Sequence, residues 1–333
     1  MSRVAVVGAG AWGTVLADLL ARKGAAVSLW AYEPDVVESI NRAHENSRYL
    51  PGASLAPNVR AVADVAEAVR DAEIVVSAAP SHVVTQLLAR AVPALERGAL
   101  VVSASKGLEP ERLTTLTCAL RDVLPTGTPV AALSGPSFAR EVYERAPTAL
   151  VAAAREPGVA ERVQQAFATK HLRVYTETDV LGVELGGALK NVIALAAGML
   201  EGLGLGYNTR AALLTRGLAE ITRLGVALGA EAETFAGLTG MGDLLLTATA
   251  PLSRNHTLGI ELGHGISLEG ALGGRQTVAE GVTTARAAVT LGARHGVELP
   301  IAEQVCAVLF QGKHPRDAVA ALMERTPKAE RVR

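Results

Sequence analysis

The sequence predicts an α/β fold in which a doubly wound, mostly parallel sheet is followed by an all-helical domain. Three observations support this prediction. Short runs rich in valine and alanine alternate with amphipathic stretches in the first half of the chain. A glycine-rich turn follows the first of these runs, and after Glu177 long helical stretches continue without convincing strands. Such alternation is typical of parallel sheets that carry helices on both faces.

The predicted strands are mostly uninterrupted by polar residues, as expected for strands that are buried on both faces. They cover residues 4–7, 27–30, 74–78, 100–103, 130–133, 149–153 and 172–175. Between them, helical patterns cover residues 14–22, 64–69, 83–91, 113–120 and 159–167.

The second half predicts helices at residues 180–200, 210–228, 256–262, 283–295 and 301–310. We therefore place a nucleotide-binding domain at residues 1–178 and a helical substrate domain at residues 179–326, followed by a charged tail at 327–333. The longest apolar helix contains Glu184, Lys190 and Asn191, which are costly in a bilayer, so we expect a protein that is not embedded in a membrane.

Composition excludes several classes of function. Lys and Arg number 32 against 33 Asp and Glu, and aromatic residues make up 3% of the 333 residues. Nucleic-acid binding favours a basic surplus or stacking aromatic rings, so we expect no nucleic-acid partner. Two cysteines, Cys118 and Cys306, provide no disulfide framework and suit a reducing compartment, which predicts a cytoplasmic protein. The seven histidines show no metal-binding spacing, so we expect no metal.

The turn after the first strand reads G-x-G-x-x-G, with Gly8, Gly10 and Gly13 at its fixed positions. Directly between a strand and a helix, this pattern predicts a Rossmann-type site for the pyrophosphate of a dinucleotide. The first glycine permits the tight turn, the second lets the ligand approach, and the third allows close packing of helix and strand. The alternative is a plain turn that uses glycine only for packing.

The acidic residue expected about 20 positions further on is Glu33. Tyr32 lies beside it, and residues 30–33 include no arginine that could hold a 2′-phosphate. This favours NAD over NADP, although a base from elsewhere, such as Arg60, could approach.

Lys190 interrupts a long apolar helix, where an unpartnered charge is costly. Gly186 and Gly187 lie one turn before it and each costs the helix about 1 kcal/mol relative to alanine, which suggests that something approaches closely there. A buried lysine suits general acid or base catalysis. The alternative is a lysine whose stem extends to the surface.

Four further polar clusters come after predicted strands or near predicted helix starts. They are Lys106 in residues 103–107, the turn at 134–139, the glycine-dense segment ending at Asp243, and residues 253–255 around Arg254. Each could bind an anion or a hydroxyl group. Each also has a structural alternative, namely a solvated lysine, an ordinary turn or a helix N-cap.

Taken together, these motifs resemble the bacterial NAD(P)-dependent glycerol-3-phosphate dehydrogenase family from Gly8 to about Lys313. The motifs are GAGAWGT (8–14), NSRYLPG (46–52), PSHV (80–83), SKGLE (105–109), SGPSFA (134–139), ELGGALKNVIALAAG (184–198), TRGLAE (215–220), GDLLLT (242–247), SRN (253–255) and VAEGV (278–282).

The resemblance implies that Lys190 is the general acid/base that protonates the C2 oxygen of dihydroxyacetone phosphate. It implies a substrate site made of Lys106, Gly135, Ser137, Lys190, Asp243, Ser253, Arg254 and Asn255. It implies a cofactor site made of Gly8, Gly10, Ala11, Trp12, Gly13, Tyr32, Glu33, Tyr49, Lys106, Ala139, Arg254, Val278 and Glu280.

The implied reaction interconverts dihydroxyacetone phosphate and sn-glycerol 3-phosphate with NAD(H) or NADP(H), and it supplies glycerol 3-phosphate for phospholipid synthesis. The resemblance also implies a homodimer and a helical domain like that of 6-phosphogluconate dehydrogenase. The family often has serine where this chain has Ala11 and a basic residue or histidine where it has Tyr32. Both departures leave the choice between NAD and NADP open.

Two other functions remain as alternatives. A β-hydroxyacid dehydrogenase of the 6-phosphogluconate type shares the two-domain plan. That family typically has the pattern K-x-x-x-N, whereas Lys190 and Asn191 are adjacent here. The second alternative is a non-enzymatic cofactor-binding sensor, in which a lysine inside an apolar helix would have no function.

Overall fold

The structure is a computed structural model that describes residues 2–273, 279–327 and 329–330. The chain divides into two compact units. Unit 1 contains Met1–Ala188 and Gly229–Asp243, and unit 2 contains Leu189–Leu228 and Leu244–Arg333. The domain limits that we infer from the sequence, 1–178 and 179–326, stay a prediction.

Unit 1 is built on an eight-stranded sheet with flanking helices. Its elements in chain order are β1 (Arg3–Val7), α1 (Ala11–Arg22), β2 (Ala26–Trp30), α2 (Pro34–Ala43), β3 (Val59–Val62), α3 (Val65–Val69), β4 (Ile74–Ser77), α4 (Ser81–Ala91), a 3₁₀ turn (Val92–Ala94), β5 (Leu100–Ser103), β6 (Leu108–Glu109), β7 (Thr114–Thr115), α5 (Leu116–Val123), β8 (Val130–Ser134), α6 (Ala139–Tyr143), β9 (Thr148–Ala153), α7 (Pro157–Phe167) and β10 (Leu172–Glu177).

The strand order is β10-β9-β8-β5-β4-β1-β2-β3, and every pair in this sheet is parallel except β8 with β9. This confirms the predicted doubly wound, mostly parallel sheet. The chain winds outward from β1 in both directions, through β2 and β3 on one side and through β4 and β5 on the other. In such sheets, ligands bind outside the carboxyl ends of the strands where the winding direction changes.

The sheet is buried on both faces, which explains its uninterrupted apolar strands. Val6 packs on one face with Leu16 of α1 and Phe167 of α7. Its neighbour Val7 packs on the other face with Leu88 of α4 and Leu120 of α5. Because successive side chains of a strand point to opposite faces, both positions must be apolar.

The remaining elements are helical. They are α8 (Val180–Gly202), α9 (Tyr207–Ala227), α10 (Ala232–Ala236), a π-helical turn (Leu238–Gly242), α11 (Asp243–Thr249), α12 (Arg254–Gly263), α13 (Leu268–Leu272), α14 (Glu280–His295), α15 (Pro300–Phe310) and α16 (Pro315–Met323). Within the part of the chain that the structure describes, no strand follows β10. The predicted all-helical second half is therefore confirmed.

The structure differs from the predicted elements in several places, among them β3 and the start of α5. The strand β3 was not predicted, because it has only four residues and Arg60 interrupts its apolar pattern at the edge of the sheet. The helix predicted to begin at Leu113 begins at Leu116 instead. Leu113 has a φ of 55° and the next two residues pair as β7, so the backbone is not helical there.

Helix α8 is long and apolar enough to cross a membrane by length and composition alone, but 94% of its apolar window is buried inside the fold. It is a core helix, and it packs closely against α12. A Cβ added at Gly198 would lie 2.1 Å from the carbonyl oxygen of His256, and one added at Gly259 would lie 2.2 Å from that of Leu195. The two helix backbones therefore touch at these glycines.

We predict that Gly198→Ala lowers the free energy of unfolding by about 1–3 kcal/mol, because the added methyl group must push the two backbones apart. Urea unfolding measures this change. Gly158→Ala in α7 is the matched control, since its added Cβ meets nothing within 4 Å and should raise stability by at most about 1 kcal/mol. Equal effects of the two substitutions would show that the helix crossing tolerates a side chain.

A buried carboxylate links α9 to the start of α15. Glu220 accepts hydrogen bonds from the backbone N–H of Ile301 at 2.9 Å and of Ala302 at 3.4 Å. Burial raises the pKa of Glu220 from 4.5 to about 7, although these hydrogen bonds oppose the shift. The folded protein therefore keeps a proton on Glu220 at pH values where the unfolded chain has lost it.

We predict that the Glu220 contribution to stability is fully present below about pH 4.5 and is lost as the pH rises to about 7, because the raised pKa belongs to the folded state. Unfolding free energies from about pH 5 to about pH 8 measure this loss, which we expect to be about 2–3 kcal/mol relative to Glu220→Gln. Glu324→Gln, at an exposed position, should keep the wild-type profile. A difference between wild type and Glu220→Gln that does not vary with pH would contradict the assignment.

Candidate active site

The glycine-rich turn has two glycines that serve packing and one that leaves space. A Cβ added at Gly8, which has a φ of 119°, would lie 2.7 Å from the backbone nitrogen of Ala79. A Cβ at Gly13 would lie 1.8 Å from the carbonyl oxygen of Gly8. At Gly10 an added Cβ meets nothing within 4 Å. The open space therefore lies at the N-terminus of α1, beside the carboxyl end of β1.

The residues at this helix start fit the pyrophosphate of a dinucleotide. Helix α1 begins at Ala11, its N-cap Gly10 provides no side-chain hydrogen bond, and its first turn carries no acidic residue. The first N–H groups of a helix lack partners within the helix, and they attract anions. The indole N–H of Trp12 is buried and has no hydrogen-bond partner among the described residues. Ala11 and Trp12, two of the predicted cofactor contacts, both lie at this helix start, and their contacts stay a prediction.

Asn46 supports the turn and was not among our predicted site residues. Its side chain is fully buried and donates to the carbonyl oxygen of Ala9 at 2.7 Å and to the hydroxyl group of Thr14 at 2.8 Å. It therefore connects the NSRYLPG segment to the glycine-rich turn. The motif itself was the available signal, but spacing alone does not show which residue makes the contact.

Glu33 follows β2, and its backbone forms the N-cap of α2. The hydroxyl group of Tyr49 donates to its carboxylate at 2.6 Å, which brings two predicted cofactor residues together. Tyr32 is 80% exposed and lies next to this pair in sequence.

Unit 1 also brings together four of the predicted substrate residues. The Lys106 ammonium donates to the carbonyl oxygen of Gly135 at 2.7 Å and to the carboxylate of Asp243 at 2.7 Å. The hydroxyl group of Ser137 donates to the same carbonyl oxygen at 3.0 Å. Lys106 follows β5 and Gly135 follows β8, and these neighbouring parallel strands place both residues at one edge of the sheet.

We predicted that some group approaches Gly186 and Gly187 closely. In the structure, other residues of unit 1 make this approach. A Cβ added at Gly187 would lie 2.6 Å from the hydroxyl oxygen of Ser134, and one at Gly186 would lie 2.8 Å from the carbonyl oxygen of Thr239. Glycine is required at both positions because neighbouring protein atoms occupy the space of a side chain. These contacts account for the unusual glycine pair in the helix.

In unit 2, Lys190 is 5% exposed, so its stem does not extend to the surface. Its ammonium donates to the hydroxyl group of Thr247 on α11 at 2.8 Å. The neighbouring Asn191 accepts a hydrogen bond from the side chain of Asn255 at 3.0 Å, and Asn255 in turn accepts one from the backbone N–H of Gly281 at 2.9 Å. Thr247 lies in the GDLLLT motif, but sequence reasoning did not identify it as a partner of the lysine.

Residues 253–255 divide into three roles in the structure. Ser253 is the N-cap of α12 and accepts a hydrogen bond from the backbone of His256 at 3.2 Å. Asn255 joins α8 to the start of α14. Arg254 keeps an accessible side chain, while the surrounding protein lowers the pKa of its guanidinium by desolvation, and nearby Glu280 opposes this shift. Arg254 is thus an accessible cation at the start of α12, and the hydrogen bonds of Ser253 and Asn255 fix the position of this helix start.

The two remaining predicted cofactor residues are Ala139 and Val278. Ala139 is the first residue of α6 and follows the turn that contains Gly135. Val278 lies outside the described residues. Across residues 2–273, 279–327 and 329–330, no group of three or more His, Cys, Asp or Glu side chains is arranged to hold a metal ion.

Comparisons with known proteins identify the family. Residues 3–160 match the N-terminal model of NAD-dependent glycerol-3-phosphate dehydrogenase, and residues 179–320 match its C-terminal model. A protein of Citrifermentans bemidjiense named glycerol-3-phosphate dehydrogenase [NAD(P)+] is 53% identical over 332 residues, or 99% of each chain. A Geobacter sulfurreducens protein of the same name is 54% identical over 331 residues, again 99% of each chain.

A solved structure with a similar fold supports the same family. The crystal structure of glycerol-3-phosphate dehydrogenase from Coxiella burnetii superimposes with a TM-score of 0.93 at 35% identity, and it covers 97% of this chain and 99% of that one. The fold, the motifs and these relatives agree over nearly the whole sequence. The chain therefore belongs to the NAD(P)-dependent glycerol-3-phosphate dehydrogenase family.

Proposed function

We propose that this protein interconverts dihydroxyacetone phosphate and sn-glycerol 3-phosphate by hydride transfer with NAD(H) or NADP(H). Family membership supports the reaction, and the observation that carries the mechanism is the buried ammonium of Lys190, held by Thr247 at 2.8 Å. A lysine at this depth in an apolar helix is costly unless function or a partner retains it.

The glycine-rich turn would hold the cofactor. The open space at Gly10 admits the pyrophosphate, and the N–H groups at the start of α1 bind its negative charge. When bound, the reduced nicotinamide supplies the hydride that reduces the ketone carbon.

Lys190 acts as the general acid in the reduction. Hydride addition to a ketone leaves negative charge on the C2 oxygen, and an ammonium group within hydrogen-bond reach stabilises that charge and donates a proton to it. In the oxidation of glycerol 3-phosphate, the neutral amine takes the proton back from the C2 hydroxyl group. Thr247 accepts a hydrogen bond from Nζ and so limits the positions that the ammonium can adopt.

Lys106 positions the substrate and stabilises charge on it. An ammonium has three donors, and the carbonyl oxygen of Gly135 and the carboxylate of Asp243 accept two of them, which leaves one for a substrate oxygen. Asp243 and Thr247 are four residues apart on α11 and therefore share one face of this helix.

Arg254 binds the substrate phosphate. Its planar guanidinium presents several donors to phosphate oxygens, and its side chain is accessible. We assign Ser253 and Asn255 to the same phosphate site, where they also fix the start of α12. Binding energy from this remote group serves to orient the reacting carbon.

The proposal extends to the biological setting that the resemblance implies. It includes a homodimer in the cytoplasm whose glycerol 3-phosphate is used for phospholipid synthesis. The two alternative functions make different predictions, since a β-hydroxyacid dehydrogenase would oxidise hydroxyacids and a sensor would bind cofactor without turnover. Oxidation of NADH or NADPH with dihydroxyacetone phosphate, monitored by ultraviolet absorbance, tests the proposed reaction. Reduction of NAD or NADP with hydroxyacids then separates the two alternatives.

We predict that Lys190→Met lowers kcat for dihydroxyacetone phosphate by a factor of about 100–10,000, because the proton donor is lost while the side-chain volume is kept. Steady-state kinetics measure the rate, and NADH fluorescence checks that cofactor binding is unchanged. Lys170→Met, at an exposed position, is the matched control. A variant at position 190 that retains wild-type kcat would remove Lys190 from the mechanism.

We predict that Arg254→Ala raises KM for dihydroxyacetone phosphate by a factor of about 10 or more, because a charge-assisted contact to the phosphate is lost. The KM for the cofactor and the urea midpoint, measured in parallel, show whether the effect is specific to the substrate. Arg294→Ala, which removes an exposed arginine of the same unit, should leave KM unchanged. An unaltered KM in Arg254→Ala would mean that the phosphate binds elsewhere.

A further inference from the structure

We propose that Arg140 is a positioning residue that couples the dinucleotide site to the turn at residues 134–139. It does so by holding the loop at residues 46–54 against α6. The inference rests on the proposed function and deepens it, because it predicts that cofactor and substrate each strengthen the binding of the other. In this role Arg140 acts through the loop and not by contact with the reacting atoms.

The 46–54 loop is attached to the glycine-rich turn at its first residue. The side chain of Asn46 donates to the carbonyl oxygen of Ala9 at 2.7 Å and to the hydroxyl group of Thr14 at 2.8 Å. The backbone N–H of Leu50 donates to the carbonyl oxygen of Asn46 at 2.9 Å. The loop therefore starts as a hydrogen-bonded turn that is fixed to the beginning of α1, where the pyrophosphate would bind.

Two side chains of α6 bind backbone carbonyl groups further along this loop. The guanidinium of Arg140 donates to the carbonyl oxygen of Pro51, and the hydroxyl group of Tyr143 donates to that of Ser54 at 3.1 Å. Within the described part of the chain, no other donor reaches the carbonyl oxygen of Pro51. Hydrogen bonds from ionised donors are stronger than those from neutral ones, so Arg140 makes the stronger of the two connections.

Glu144 is the competing partner of Arg140. Its carboxylate lies 4.0 Å from Nε of Arg140, and its side chain is 60% exposed. An exposed ion pair at this distance contributes little to stability. The hydrogen bond to Pro51 is therefore the contact that fixes the guanidinium.

A small apolar cluster also joins the loop to α1 and α6. Its buried members are Val15 of α1, Leu50 and Ala53 of the loop, and Val142 of α6. Trp12 and Ala139, two of the predicted cofactor residues, are partly buried against it. Because close-packed side chains transmit displacements, we expect the loop, α1 and α6 to shift together.

Helix α6 leads directly to the turn at 134–139. The backbone N–H of Val142 donates to the carbonyl oxygen of Phe138 at 3.1 Å, which ties the helix to the last part of this turn. Earlier in the turn, the carbonyl oxygen of Gly135 accepts a hydrogen bond from the Lys106 ammonium at 2.7 Å. A continuous set of contacts therefore runs from the glycine-rich turn through the loop and α6 to the lysine that we assign to the substrate.

These contacts would couple the two binding sites energetically. A dinucleotide bound at the start of α1 restricts the 46–54 loop, and Arg140 extends that restriction to α6 and Lys106. The substrate then binds to groups that are already ordered, so less conformational freedom is lost on binding. By linkage, the substrate strengthens dinucleotide binding by the same factor.

Fluorescence titration with NADH, without and with saturating sn-glycerol 3-phosphate, measures this coupling as a ratio of two Kd values. Both ligands are in the reduced form, so no turnover occurs. We expect glycerol 3-phosphate to lower the Kd of NADH about tenfold in the wild type. In Arg140→Met the ratio should fall to about threefold or less, because the side-chain volume is kept but the hydrogen bond to Pro51 is lost.

Two further variants separate coupling from a structural role. Arg140→Lys should restore most of the ratio, since an ammonium can donate to the same carbonyl oxygen. Arg162→Met is the matched control, because it removes an exposed arginine from α7 of the same unit, and it should keep the wild-type ratio. Urea unfolding of each variant shows whether stability changes, and a purely structural role would lower stability without changing the ratio.

Three results would overturn the proposal: a wild-type Kd for NADH that bound glycerol 3-phosphate does not change, an unchanged ratio in Arg140→Met, or an equal loss in Arg162→Met. Calorimetry verifies that glycerol 3-phosphate is bound, and its failure to bind would overturn both this proposal and the proposed reaction.

The two proposals can also fail separately. Coupling that is lost in Arg140→Met, in a protein that does not reduce dihydroxyacetone phosphate, would refute the reaction and leave the role of Arg140 standing. Normal turnover with an unchanged ratio in Arg140→Met would do the opposite.

Discussion

The structure depends on the requirement that buried polar groups find partners, and α8 shows this requirement most clearly. This core helix carries three buried polar side chains, and each forms a hydrogen bond with a different element. Glu184 accepts hydrogen bonds from the backbone N–H and hydroxyl group of Thr117 at the start of α5. Lys190 donates to Thr247 on α11, and Asn191 accepts from Asn255 on α12.

These hydrogen bonds satisfy the buried polar side chains and at the same time fix their positions. Burial raises the pKa of Glu184, and its hydrogen bonds from Thr117 lower it, so the carboxyl group is stabilised where it stands. The same logic applies to the lysine that we place in the reaction. A group that must be bonded in order to be buried has few positions available, and that restriction is what catalysis needs.

Glycine serves two opposite purposes in this chain. At Gly8, Gly13 and Gly198 the missing Cβ lets backbones approach each other, and an added methyl group would overlap neighbouring backbone atoms. At Gly10 the missing side chain leaves space that a ligand can enter. The motif G-x-G-x-x-G thus combines close packing with open space for a ligand, as in dinucleotide-binding turns in general.

The sequence alone determined the features that depend on neighbouring residues in the chain. Apolar runs marked the buried strands, the glycine spacing marked the dinucleotide turn, and the charge in the apolar helix marked Lys190. Each of these signals reflects backbone conformation or burial, which neighbouring residues reveal. The family resemblance then supplied the expected roles of residues that no local pattern explains, such as Ser137 and Ala139.

The tertiary structure decided which distant groups meet. Lys106 and Asp243 are 137 residues apart, Lys190 and Thr247 are 57 apart, and Asn46 lies 37 residues from the turn that it braces. The antiparallel placement of β9 and the edge strand β3 likewise follow from the assembled sheet. A sequence pattern records whether a side chain is buried but not which partner satisfies it, because that partner is selected by folding, when buried polar groups far apart in the chain are brought together and must form hydrogen bonds.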